Sequence, residues 1–193
     1  MRQMMLYSLP TLISLTLVVA MESWWLKQSL PHPFYAIASR HVWLPFLASI
    51  CFTRGIIIAM PNPLAGGVHS ALSRLIVHVI LCIAGFLLYA LMLQHQSPAG
   101  LPPLHHWWAK VLMFFNLCMA ALHLLPLPLL LMGEWLQKLF GLTFSHRLAL
   151  KEKQLWWLVA ALAASPLLDM VLGAYLVFPV YEVVSSYAAQ LAQ

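Results

Sequence analysis

Charge is scarce in this chain. Of its 193 residues, 8% are Asp, Glu, Lys or Arg, and only five are acidic. A soluble domain carries roughly 25%. So few charges cannot cover the core of a soluble globule. A soluble enzyme, a disordered chain and a nucleic-acid binder are excluded on that ground. Cysteine is sparse too. Cys51, Cys82 and Cys118 are an odd number, scattered through apolar runs with no CxxC pair. Neither a disulfide framework nor a zinc ribbon is indicated, and the three read as small buried apolar side chains. Internal repeats are absent, and the one compositional bias is toward leucine.

What the chain has in abundance is apolar surface. Hydrophobic residues make up 63%, and mean hydropathy is +0.86. The reading is a polytopic membrane protein forming a single integral membrane domain over residues 1–193. The net charge is +5. Its basic residues flank apolar segments, which suits an anionic membrane surface better than nucleic acid.

Four segments are long enough to cross a bilayer at about 20 residues each. They run from about Met4 to Trp25, Leu72 to Leu93, Trp107 to Met132 and Leu155 to Phe178, with the last helix closing near residue 180. The first is too long for a signal peptide and lacks a small-x-small cleavage site. A fifth stretch, Val42 to Met60, contains Pro45, Arg54 and Gly55. An Arg at mid-span costs about 2.5–3.5 kcal/mol, so this stretch reads as a short re-entrant or membrane-associated hairpin. The expected fold class is all-α and transmembrane, with about four crossings plus that hairpin. Residues 133–153 read as an amphipathic interfacial segment.

The basic residues divide unevenly across these crossings. Lys27, Arg40, Arg54, Arg74, Lys138, Arg147, Lys151 and Lys153 fall on one side, and Arg2 and Lys110 on the other. The positive-inside rule then puts both termini outside and two loops in the cytoplasm. Breakers separate the elements: Pro31 and Pro33, then Pro61-Asn62-Pro63 with Gly66 and Gly67, then Pro98, Gly100, Pro102 and Pro103.

Three local patterns bear on chemistry. Met21-Glu22-Ser23-Trp24-Trp25 ends the first segment. Two His at that i, i+4 spacing would hold zinc, with the Glu activating water. Met and Trp stand there instead; an indole offers no lone pair and a thioether is a poor zinc ligand. Taken alone, the stretch is an interfacial Trp belt. The second pattern is Ile83-Ala84-Gly85-Phe86 with Tyr89, where Gly85 permits close helix approach. The third runs from His123 through Pro126-Leu127-Pro128 to Leu131-Met132-Gly133. Two prolines so close break a helix and free backbone groups that protein or water must cover.

In order and spacing, these pieces over about residues 12–136 resemble the site-2 protease family, the intramembrane zinc metalloproteases. In that family an HExxH helix is followed by a membrane-associated hairpin. Next comes a helix opening with Gly-Pro and an Asn, then a helix broken by Asn-x-x-Pro-x-Pro-x-x-Asp-Gly. The stretch around Glu22 looks like the first, and Leu44-Pro45-Phe46-Leu47 with Pro61-Asn62-Pro63 like the hairpin and its exit. Gly85-Phe86 looks like the Gly-Pro, with Tyr89 at the Asn position, and His123 to Gly133 looks like the last. The scaffold matches and the donors do not. Met21 and Trp25 stand at the His positions, Leu131 at the Asp position and His123 at the Asn position. The resemblance therefore implies a reduced site-2 protease core that has lost its metal ligands. It implies no catalytic residues, no cofactor, and a scaffolding or regulatory role that binds transmembrane segments of a larger complex. Its partners would be membrane lipids and other transmembrane subunits, in a bacterial cytoplasmic membrane. The alternative is an active zinc metalloprotease with substitute ligands drawn from Glu22, His123 and Glu134.

Several residues carry open readings. His123, with Pro126 and Pro128, is a candidate binding residue; equally, its ring bonds a carbonyl freed by the proline break. Glu134 is a swing-back oxygen ligand or an interfacial carboxylate beside Lys138. A His78–His123 pair has the composition of a haem site, or is two histidines satisfied by protein. His105-His106 beside Trp107-Trp108 is an interfacial anchor or a metal trap. Asp169, about halfway along the fourth segment, is a functional candidate by its cost in a membrane. It serves a partner or an ion path, or it pairs within the chain with Arg74 or Lys153. A small transporter would rest on Asp169 and Arg54.

Overall fold

The computed structural model describes residues 2–29, 32, 38, 40–60, 64–95, 103–140 and 152–191. It is all-helical among these, with seven helices: α1 Arg2–Trp25, α2 Arg40–Cys51, α3 Val68–Gln94, α4 Leu104–Leu122, α5 Leu131–Phe140, α6 Glu152–Ala164 and α7 Phe178–Leu191. A π-helical segment, Asp169–Val177, runs directly into α7. Three stretches are long and apolar enough to cross a membrane: Gln3–Trp25, Val68–Gln94 and Asp169–Leu191. The chain is a multi-pass integral membrane protein.

Side-chain pairs fix how the helices run. Glu22 near the end of α1 meets Ser70 and Arg74 near the start of α3, so these two are antiparallel. His78 meets Asn116, and Gly85 lies on Met113, so α3 and α4 are antiparallel. Gln94 donates to the carbonyl of Leu191 at 3.0 Å, so α7 runs parallel to α3. The outward face of α3 is apolar at helical spacing: Ile76, Ile80, Ile83, Leu87 and Leu91 are all exposed, as lipid-facing residues should be.

The α3–α4 contact depends on Gly85. A Cβ there would sit 2.9 Å from the Met113 Cα, a backbone atom that cannot swing aside. Gly85→Leu is expected to lower stability by about 1–3 kcal/mol through overpacking, read as a lower midpoint of unfolding in mixed micelles.

Three expectations are corrected. The third predicted crossing, Trp107 to Met132, is not one helix. α4 stops at Leu122, and the chain turns through Pro126 and Pro128 before α5 begins at Leu131. The fourth, Leu155 to Phe178, is two elements: α6 ends at Ala164, and the membrane-length stretch starts only at Asp169. Pro166 is the reason, since it cannot donate to the ladder and disfavours helical backbone before it. Asp169 thus stands at the start of a span rather than halfway along one. The expected hairpin is instead a helix, α2, followed by an extended run from Ile56 to Met60; no strand is present among the described residues. That run passes through the core, where Ile56, Ile57, Ile58, Ala59 and Met60 are all buried beside Phe115, Met119 and Trp156. Its proposed exit, Pro61-Asn62-Pro63, lies outside the described residues. Of the interfacial segment, residues 133–140 are the body of the amphipathic α5, and residues 141–151 lie outside the described set.

Candidate functional site

The first helix sets one side of the site. Its inward residues recur every three or four positions: Thr11, Ser14, Leu15, Val18, Val19, Glu22 and Ser23 are buried. Glu22 has no solvent exposure at all. A carboxylate in that position needs a countercharge and hydrogen bonds. Arg74 supplies the charge, with Nη1 3.0 Å from Glu22 Oε1. Ser70, one turn earlier on α3, donates its hydroxyl to the same oxygen. The Ser70 oxygen also lies 2.8 Å from the Ala65 carbonyl. One hydroxyl hydrogen serves one acceptor at a time, and the charged oxygen is the stronger. Glu22 Oε2 is enclosed without a partner among the described residues.

The guanidinium reaches a second element. Arg74 Nη2 donates to the Leu129 carbonyl at 2.6 Å. Leu129 lies in the turn Leu127-Pro128-Leu129-Leu130, closed by the Leu130 N–H on the Leu127 carbonyl at 3.2 Å. Proline in the second place and a positive φ of 69° in the third give this turn type II character. A leucine is strained in that left-handed region. Two contacts hold it there: Arg74 on its carbonyl, and Glu134 Oε1, which accepts from its N–H at 3.0 Å. The other oxygen of Glu134 accepts from the Gly67 N–H at 2.9 Å. Glu134 therefore clasps two loops and does not swing toward Glu22. Beneath the turn, Gly133 lies so close to the Leu127 carbonyl that any Cβ would collide with it.

A polar chain continues along α3 and α4. His78 Nδ1 lies 2.8 Å from Asn116 Oδ1. The Asn116 amide donates to Ser14 Oγ and to the Leu112 carbonyl, both at 2.8 Å. With both amide hydrogens spent as donors, Oδ1 is the acceptor, which assigns the His78 proton to Nδ1. His123 ties the proline break together. Its Nδ1 accepts from the Leu131 N–H at 3.3 Å, and its carbonyl accepts from the Met132 N–H at 3.1 Å. The break thus leaves N–H groups for the ring to satisfy, where a freed carbonyl was expected.

His78 and His123 face each other with ring centroids 6.1 Å apart. With Arg74, Met60, Met119, Leu129 and Leu130 they line a cavity of only about 10 Å³. That is about the space of one water.

The structure therefore gathers Glu22, Ser70, Arg74, His78 and His123 and leaves other expected positions outside. Met21 and Trp25 are 37% and 46% exposed; they flank Glu22 but turn away from the bundle. Leu131 opens α5 and presents its backbone N–H to His123. Pro126 is exposed and Pro128 half-buried, and both shape the turn without lining the cavity. His105 stacks edge-on against His106, with ring centroids 4.8 Å apart.

Asp169 stands apart from this cluster. It does not pair with Arg74, which is taken by Glu22, and the side chain of Lys153 lies outside the described residues. Its Oδ1 accepts from the Ile56 N–H at 2.7 Å and its Oδ2 from the Gly55 N–H at 3.2 Å. Arg54 Nε donates to the Ala164 carbonyl at 2.7 Å. Asp169 thus fastens the extended run to the start of the last span, and Arg54 fastens the turn before that run to the end of α6.

The residues present do not fit a zinc ion. The substitute donors are largely engaged: Glu22 Oε1 by Arg74 and Ser70, Glu134 by two backbone N–H groups and His123 Nδ1 by Leu131, which leaves Glu22 Oε2 as the open carboxylate oxygen among them. A fixed guanidinium beside the histidines opposes a divalent cation electrostatically. Among the described residues, no three His, Cys, Asp or Glu side chains are placed to hold a metal. Arg74 and Ser70 were the residues missed from sequence. The signal was available in Ser70, Arg74 and His78, each four residues from the next and so on one helical face. No protein-family description, curated protein or solved structure matches the chain.

Proposed function

We propose that this chain is a catalytically inactive, site-2 protease-like membrane protein. It acts as a scaffolding or regulatory subunit that binds transmembrane segments of a larger membrane complex. The observation that carries this reading is the buried Glu22–Arg74 pair. In an HExxH site the Glu activates water beside a metal. Here Glu22 is neutralised by a cation that belongs to the chain, and a cavity of about 10 Å³ leaves no room for a peptide. The metalloprotease alternative needs Glu22, His123 and Glu134 as ligands, and all three have other work. The transporter reading needs Asp169 and Arg54, which hold backbone groups.

Zinc content tests the choice between scaffold and protease. Protein purified in mild detergent is expected to carry substoichiometric zinc and to keep its unfolding midpoint after chelation. Stoichiometric zinc, lost in His123→Ala, would establish the protease instead.

The same proposal places α4 as a fourth crossing, both termini outside, and the chain in a bacterial cytoplasmic membrane. The antiparallel course of α4 against α3 supports the fourth crossing. Cysteines introduced into the 27–40 and 95–106 loops are expected to label from opposite sides. Labelling of both loops from one side would defeat this topology.

A further inference from the structure

The last span, Asp169–Leu191, is the least covered of the three: 17% of its apolar window is buried, against 33% and 28% for the others. It also carries a carboxylate on its open face. Glu182 is exposed. Its backbone carbonyl accepts from Ser185, but its side chain makes no hydrogen bond or ion pair with the described residues. Tyr175, Val183 and Ser186 are exposed around it, while Tyr187 stacks on Phe86 of α3 with ring centroids 6.3 Å apart.

Depth makes this unusual. Glu182 lies nine residues before Leu191, about 13 Å along the helix axis, and thirteen after Asp169, so it falls near the middle of the span. The hydrogen bond from Gln94 to Leu191 puts the end of α7 level with the end of α3. Following both helices back by nine residues sets Glu182 level with Gly85, near the middle of α3. The next-door Tyr181 packs on Phe114, within α4, with ring centroids 4.9 Å apart. The Lys110 ammonium stands 5.6 Å and 5.8 Å from the ring centres of Tyr89 and Tyr181. It forms no ion pair with Glu182. A carboxylate at this depth with no counterpart among the described residues is costly and marks a candidate site.

We infer that the outward face of α7 docks a transmembrane helix of another protein, one that carries Lys or Arg at the depth of Glu182. A lipid headgroup supplies the charge poorly, because Glu182 falls near the middle of a span of membrane length. A second copy of the chain supplies it poorly. Face to face, two copies oppose Glu182 with Glu182, and the one Lys or Arg within the three spans is the buried Arg74. The inference needs only a membrane-embedded α7. It stands apart from the proposal about the core.

The test uses the full chain in phosphatidylcholine vesicles, donor-labelled, with acceptor-labelled polyleucine helices of about 21 residues. One peptide carries a central Lys and the other Leu in its place. The Lys peptide is expected to associate about three- to thirtyfold more tightly, the range of polar contacts between membrane helices. Glu182→Leu is expected to remove that preference and to leave the unfolding midpoint unchanged, since the position is exposed. Glu182→Gln keeps the shape and is expected to lose most of the preference. Equal association of both peptides with the parent chain overturns the inference, as does a preference that survives in Glu182→Leu. Self-association of the parent chain that Glu182→Leu abolishes, without any Lys preference, assigns the face to a second copy instead.

Discussion

Arg74→Ala is expected to destabilise the protein by about 3–5 kcal/mol, because it leaves the Glu22 carboxylate buried with no countercharge. Glu22 is fully buried, and the Arg74 side chain is 5% exposed, so little solvent reaches either partner to compensate. The Leu129 carbonyl loses its donor in the same variant. That adds about 1 kcal/mol and loosens the strained turn. The paired replacement Glu22→Leu with Arg74→Met is expected to recover most of the loss. Removing both charges removes the desolvation cost together with the attraction. Unfolding in mixed micelles of increasing SDS content reads all three variants. If the double variant is no more stable than Arg74→Ala, the two side chains do not act as a pair.

Asp169→Leu is the second large effect, at about 2–4 kcal/mol. Two backbone N–H groups, of Gly55 and Ile56, would lose a charged acceptor. The site has no slack, since a Cβ on Gly55 would meet Phe178 at 2.7 Å and the Asp169 carboxylate at 3.3 Å. Asp169→Asn keeps the shape and one acceptor oxygen, so about half the loss is expected. The damage should appear at the Ile56–Met60 run first. Protease or thiol accessibility introduced there is expected to rise in Asp169→Leu while the Glu22–Arg74 region stays protected. Equal exposure of both regions would mean that Asp169 supports the whole bundle and not this one attachment.

The membrane character of the chain was legible because hydropathy needs no partner to be read. The positions of α1 and α3 followed from it to within a few residues. The facing of α1 did not. That helix is apolar nearly all round, so its pattern cannot say that Glu22 turns inward while Met21 and Trp25 turn out. Only packing against α3 and α4 decides it. Hydropathy also runs through Pro166 without notice, which is why α6 and the last span were joined. The proline break after His123 was legible from Pro126 and Pro128, and so was the role of His123 in repairing it. The direction of that repair was not, because it depends on which backbone groups the turn leaves free. Asp169 was visible as a costly carboxylate, but backbone partners leave no charge pattern to search for. Arg74, two residues into a segment begun at Leu72, reads as a charge at the membrane edge, and Ser70 falls outside that segment. With the helix starting at Val68, Ser70, Arg74 and His78 form one polar edge in an apolar helix.

The central claim is that the Arg74 guanidinium, and not a metal ion, neutralises Glu22 at the heart of the bundle. An experimental structure of the protein equilibrated with zinc, with diffraction recorded at the zinc absorption edge, addresses it most directly. The expected map shows the guanidinium within hydrogen-bonding distance of Glu22 and no anomalous peak between Glu22 and His123. A peak held by those two side chains, with Arg74 swung away, would contradict the claim.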